Sequence, residues 1–106
     1  MALYGIYGRH EIEDCPWNNE KTGKQVIQAS KGDPSKNLPK YKINDIKGRF
    51  HSGLEHTFLW ILEAEDPHLI QTWAVENGIA KFNEIKIVPL ITFDGVVAGA
   101  KRIWEN

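Results

Sequence analysis

The sequence predicts an α+β fold with a four-stranded antiparallel sheet in the order 4-1-3-2 and two helices on one face. Segments of strand and helix type follow one another as βαββαβ. The segment Phe58–Leu62 is apolar at both parities, which is typical of a central strand covered on both faces. Pro89 lacks the backbone donor that an inner strand needs, and this places the last strand at an edge.

The first half of the chain predicts a strand, a helix and a loop. Ala2 to His10 is rich in Tyr, Leu and Ile and predicts the first strand. Pro16 then breaks the chain, and a helix from about Asn19 to Lys31 follows, with an asparagine cap at its start and Gly32 ending it. We expect this helix to bury Val26, Ile27 and Ser30. Gly32 to Lys40 has the composition of a loop.

A hairpin follows this loop. Tyr41 to His51 predicts the second strand and His56 to Ala64 the third, with the turn-forming pair Ser52-Gly53 between them.

The last part of the chain predicts a helix and the edge strand. Asp66 can cap a helix that begins at Pro67 and stops at Asn77-Gly78. Asn83 to Phe93 predicts the edge strand and Asp94-Gly95 a turn, whereas the tail from Val96 to Asn106 fits a short strand or a short helix. The whole chain, 1–106, is therefore predicted as one domain with a core over about 2–93 and an extension over 94–106.

The composition excludes several classes of function. The net charge of −1 leaves no basic footprint for nucleic acid, and no apolar run approaches the roughly 20 residues that span a bilayer. A single cysteine cannot form an intramolecular disulfide, and the short, glycine-broken N-terminus does not fit a signal peptide. We therefore predict a cytoplasmic protein that contacts neither nucleic acid nor membrane.

One face of the predicted sheet has no cover. The two helices protect one side, while the first, third and fourth strands place apolar side chains on the other. A second copy of the chain is the simplest cover, so we predict a C2 homodimer.

Three histidines and the cysteine fall at one end of this sheet. In the 4-1-3-2 order, the ends of the first two strands meet the start of the third, and His10, His51 and His56 occupy these places. Cys15 follows closely enough to fold back toward them. Imidazole and thiolate are ligands of Ni, Cu and Zn, so the sequence predicts a transition-metal site and no organic cofactor. Strand-end histidines beside a packed thiol, or acid–base catalysis, remain alternatives.

The chief alternative is an enzyme of isomerase or monooxygenase type that acts on a small molecule. The sequence therefore does not decide whether the protein is an enzyme. Its apolar pocket would be walled by Tyr4, Ile6, Phe58, Trp60 and Trp17, and His10 or His56 would move the proton. A third interpretation, RNA binding, rests on the basic and aromatic run Lys47–His51. This run lies on the second strand instead of the third, where RNA-recognition modules carry their motif, and we reject it.

The element order, the length and the two-sided sheet resemble the dimeric α/β-barrel superfamily, a ferredoxin-like group. It includes muconolactone isomerases, cofactor-free monooxygenases and small nickel-binding proteins. The segments Arg9-His10-Glu11 to Cys15-Pro16 and Gly53-Leu54-Glu55-His56-Thr57 are similar to small uncharacterised members of it. From the nickel-binding members, the resemblance implies histidine ligands near strand ends, at His10 and His56, but the fold hosts unrelated chemistries and cannot supply the function alone.

Overall fold

The computed structural model describes residues 2–32 and 37–105. Its four strands are β1 (Ala2–Arg9), β2 (Ile43–Ser52), β3 (Thr57–Ala64) and β4 (Glu84–Leu90). Its helices are α1 (Glu20–Ser30), α2 (Pro67–Glu76) and α3 (Phe93–Trp104). Four residues of the predicted loop, 33–36, and the last residue of the tail lie outside the described part of the chain.

The strands form one antiparallel sheet in the order β2-β3-β1-β4. This is the predicted 4-1-3-2 order, counted from the opposite edge. Ile6 in β1 lies between Trp60 of β3 and Ile87 of β4. Pro89 lies in β4, at the edge, where its missing N–H breaks no inner ladder.

The core lies between one face of the sheet and α2. Ile6, Leu62 and Ile70 are fully buried there, and Trp73 packs beside them. A short 3₁₀ turn, Leu38–Tyr41, adds two buried side chains that the sequence assigned to a loop or a strand start. Because α2 presents its apolar stripe to the sheet, it is the helix that closes this side of the fold.

The start of α2 is as predicted. Asp66 accepts a hydrogen bond from the backbone N–H of His68 at 2.8 Å, and Pro67 takes the first helical position.

The prediction that α1 buries Val26, Ile27 and Ser30 is wrong. Val26 and Ile27 are 46% and 57% exposed, and Thr22 is the one buried residue among the helix positions described. The helix is held at its first turn, where a Cβ on Gly23 would lie 2.7 Å from the carbonyl oxygen of Pro16. Within the described part of the chain, the apolar side chains of α1 beyond this contact are therefore exposed to solvent.

The predicted turn at Asp94-Gly95 is also wrong, because these residues form the first turn of α3. Thr92 caps the helix by accepting a hydrogen bond from the N–H of Gly95 at 3.1 Å. β4 therefore ends at Leu90, and the tail is a helix.

An apolar stripe runs along α3 at helical spacing, and none of its members is buried: Phe93, Val96, Val97, Ala100, Ile103 and Trp104.

The face of the sheet opposite α2 is uncovered within the described chain. Seven of its apolar side chains are half-buried or exposed: Leu3, Tyr7, Phe50, Leu59, Ile61, Val88 and Leu90. The radius of gyration is 16.1 Å, against about 13 Å for a compact chain of this length. Parts of the chain therefore extend beyond a single compact body.

Across residues 2–32 and 37–105, no helix combines the length and the apolar character needed to cross a bilayer.

Candidate metal centre

His10 and His56 are brought together by the pairing of β1 with β3. His10 directly follows β1, and His56 directly precedes β3. The backbone N–H of His10 donates to the carbonyl oxygen of His56 at 3.0 Å, which extends the ladder by one step. The two imidazole centroids lie 5.6 Å apart. The sheet thus sets the spacing of the two rings.

The backbone of His56 is in the left-handed region, with φ +59°. This conformation closes the β2–β3 turn, in which the N–H of His56 donates to the carbonyl oxygen of Ser52 at 3.0 Å. A left-handed residue that is not glycine costs roughly 1–2 kcal/mol. Such strain is typical of functional positions, where a side chain must point in a particular direction.

Cys15 is placed by a tightly hydrogen-bonded segment. The 3₁₀ turn Ile12–Asp14 precedes it, and its carbonyl oxygen accepts the N–H groups of Asn18 and Asn19 at 2.8 and 2.9 Å. The two asparagine side chains return hydrogen bonds to the carbonyl oxygens of Ile12 and Glu13. Cys15 is 4% exposed.

Trp17 joins this segment to the β2–β3 turn. Its indole lies directly over Gly53, where a Cβ would come within 2.3 Å of the ring. The indole is otherwise open to solvent, at 83% exposure. Trp17 therefore connects the segment that carries Cys15 to the turn that carries His56.

One donor atom from each of His10, Cys15 and His56 lies within 4.8 Å of the others. Nε2 of His10 and Nδ1 of His56 are buried and have no hydrogen-bond partner among residues 2–32 and 37–105. Nitrogen and sulfur ligands at about 2.0–2.3 Å from one ion lie roughly 3.3–3.8 Å from each other. A modest closure of the side chains would bring the three donors to that spacing.

The other ring nitrogen of His10, Nδ1, forms a hydrogen bond with Asn83. The sequence analysis did not identify Asn83 as a site residue. Nδ1 of His10 lies 2.8 Å from Oδ1 of Asn83. Asn83 lies immediately before β4, and β4 pairs with β1 so that Arg9 is opposite Glu84. The pairing of these two strands therefore places Asn83 beside His10, and it was the one signal that could have identified Asn83.

His51 lies apart from this group of three. It pairs across the hairpin with Phe58, and its Nε2 accepts a hydrogen bond from the indole N–H of Trp60 at 3.0 Å. Removal from solvent lowers the pKa of His51, and the positive charges of Arg49 and His10 lower it further. The neutral form of His51 is the one that can accept the bond from Trp60.

The five side chains predicted as pocket walls lie in different places. Tyr4, Ile6 and Phe58 are buried in the core against α2. Trp60 is half-buried, with its ring 5.9 Å from that of Trp73. Trp17 is exposed, as described above. Tyr4, Ile6, Phe58 and Trp60 thus belong to the core or pack against it, and Phe58 also lines a surface pocket with Phe50 and Leu59.

Comparison with family models, with curated proteins and with solved structures found no match. The function is therefore inferred from the side chains themselves.

Proposed function

We propose that this protein binds a transition metal ion through Nε2 of His10, Nδ1 of His56 and the thiolate of Cys15. The observation that carries the proposal is the pair of buried, unpartnered imidazole nitrogens beside a buried thiol. A buried polar atom without a partner costs free energy, roughly 1–3 kcal/mol. A metal ion would give all three donors a partner at once.

The donor set favours Zn, Cu or Ni. Each accepts imidazole and tolerates thiolate, whereas Mg and Ca prefer oxygen. Three protein ligands leave at least one coordination position for a further donor. A donor from another molecule would complete the coordination at that position, which suits a metal carrier or sensor.

We further propose that the chain forms a homodimer of the ferredoxin-like, dimeric α/β-barrel type. Two unpartnered apolar surfaces on one chain support a second copy as the cover: the open sheet face and the stripe of α3. The large radius of gyration supports the same assembly, because the exposed stripe of α3 would gain apolar contacts from a second molecule.

Titration with Co²⁺ tests the proposed ligand set, because a thiolate bound to cobalt gives an intense charge-transfer absorption. We expect this absorption in the wild-type protein and its loss in C15S. The control is H68A, which removes an exposed histidine on α2, outside the group of three. An equal charge-transfer absorption in C15S and wild type would contradict the proposal.

A further inference from the structure

The amide of Asn83 has a fixed orientation. Its Nδ2 donates to the carbonyl oxygen of Ile79 at 2.9 Å. This bond leaves Oδ1 directed at Nδ1 of His10, 2.8 Å away. Because an amide oxygen can only accept, Nδ1 of His10 must carry the hydrogen.

This hydrogen bond decides which nitrogen of His10 is free. A neutral imidazole carries one N–H, so an Nδ1–H tautomer leaves the lone pair on Nε2. Nε2 is the buried atom of His10 that has no hydrogen-bond partner. The chain from the Ile79 carbonyl through Asn83 to His10 therefore ends at the proposed metal position.

We propose that Asn83 is a positioning residue that holds His10 as the Nδ1–H tautomer and presents its Nε2 lone pair to the metal. The inference rests on the proposed metal site and adds the residue that prepares one ligand before the ion arrives. Partners of this kind orient ligating imidazoles, and their loss typically lowers metal affinity about 10–100-fold.

Asn77 provides a matched control. Its Nδ2 donates to the carbonyl oxygen of Trp73 at 2.9 Å, four residues back, as that of Asn83 does to Ile79. N77A therefore removes a similar hydrogen bond at a site away from His10. N83D keeps an oxygen acceptor beside Nδ1 and serves as the conservative variant.

The test has two readouts. The first is ¹⁵N NMR of the histidine rings in metal-free protein, where we expect the Nδ1–H tautomer of His10 in wild type and N83D and a mixed population in N83A. The second is Zn²⁺ affinity by competition with a chelator. We expect N83A to bind about 10–100-fold more weakly, with N77A and N83D close to wild type.

The two proposals fail in different ways. An Nε2–H tautomer of His10 in the metal-free wild type, or equal Zn²⁺ affinities for N83A and N77A, overturns the role of Asn83 and leaves the metal site standing. If the wild type binds neither Zn²⁺, Cu²⁺ nor Ni²⁺, the metal site itself is wrong, and the NMR result alone decides whether Asn83 sets the tautomer. An unstable N83A does not prevent this decision, because the tautomer is also measured in wild type and N83D.

Discussion

The imidazole rings of His10 and His56 lie 5.6 Å apart, with an angle of 60° between their planes. A backbone hydrogen bond from the N–H of His10 to the carbonyl oxygen of His56 places the two residues side by side. The rings belong to neighbouring strands, so their separation is a property of the sheet. Cys15, on a separate segment, completes the group. Metal binding would therefore tie the segment before α1 to the end of the sheet.

The left-handed backbone of His56 predicts that stability and metal binding can be separated. Asparagine tolerates φ near +59°, so H56N should have a stability close to that of the wild type when both are metal-free, whereas H56V should lose about 1–2 kcal/mol. Both variants should lose the proposed metal affinity. Denaturant unfolding and a Zn²⁺ titration measure the two effects. Equal stabilities for H56N and H56V would contradict the conformational role.

His51 should titrate below the ordinary imidazole pKa of about 6.5, because burial and nearby positive charge disfavour its protonated form. Removing the charge of Arg49 in R49Q should raise the pKa of His51. Proton NMR of metal-free protein against pH measures both values. A pKa of His51 at or above about 6.5 would contradict this environment.

The same depressed pKa has a consequence for stability. As the pH falls through about 6.5, the unfolded chain takes up a proton at His51 before the folded chain does, so His51 destabilises the fold on acidification. Well above pH 6.5, His51 is neutral in both the folded and the unfolded chain, so its protonation does not change the free energy of unfolding. H51Q should therefore lose less stability than wild type between about pH 7.5 and about pH 5.5, as measured by urea unfolding. A larger loss in H51Q would reverse the expected sign.

Two glycine substitutions should have opposite effects. Gly8 lies under the ring of Phe58, and a Cβ there would come within 1.8 Å of it. G8A should cost about 1–3 kcal/mol through overpacking of the core. Gly99 lies in the middle of α3, where a Cβ would meet only the end of the Arg102 side chain at 3.9 Å, so G99A should stabilise the protein by about 0.5–1 kcal/mol. Thermal unfolding compares the two, and a neutral G8A would mean that β1 and Phe58 separate easily.

The proposed homodimer predicts a mass of two chains by light scattering. Glutamate placed on either apolar surface should shift the protein to monomer, in I103E on α3 and in F50E on the open sheet face. The control is A98E, which adds the same side chain on the polar side of α3. A dimer that persists in both I103E and F50E would show that these surfaces do not form the interface.

The sheet and the start of α2 could be predicted because their signals are local. The two-sided pattern of β3, the proline of β4 and the Asp66 cap each follow from one short segment. The helices were harder because amphipathicity does not say whether a partner surface exists. Val26 and Ile27 have the spacing of a buried face and are exposed. Thr92 could have revealed α3, but Asp94-Gly95 is equally typical of a turn.

The candidate site could be predicted only in part for a similar reason. The strand order brings His10 and His56 together. The order of the strands and the positions of the two histidines at strand ends follow from the sequence pattern. His51 also ends a strand at this edge, yet it bonds to Trp60 on its own hairpin. Asn83 acts through a contact 73 residues away in sequence, which no local pattern shows.

The metal content of protein purified without an affinity tag tests the central claim most directly. Elemental analysis should find about one Ni, Cu or Zn ion per chain in the wild type and in H68A. The double variant H10A/H56N should contain none while remaining folded. Full metal content in the double variant, or a metal-free wild type that also takes up none of the three ions on addition, would contradict the proposed centre.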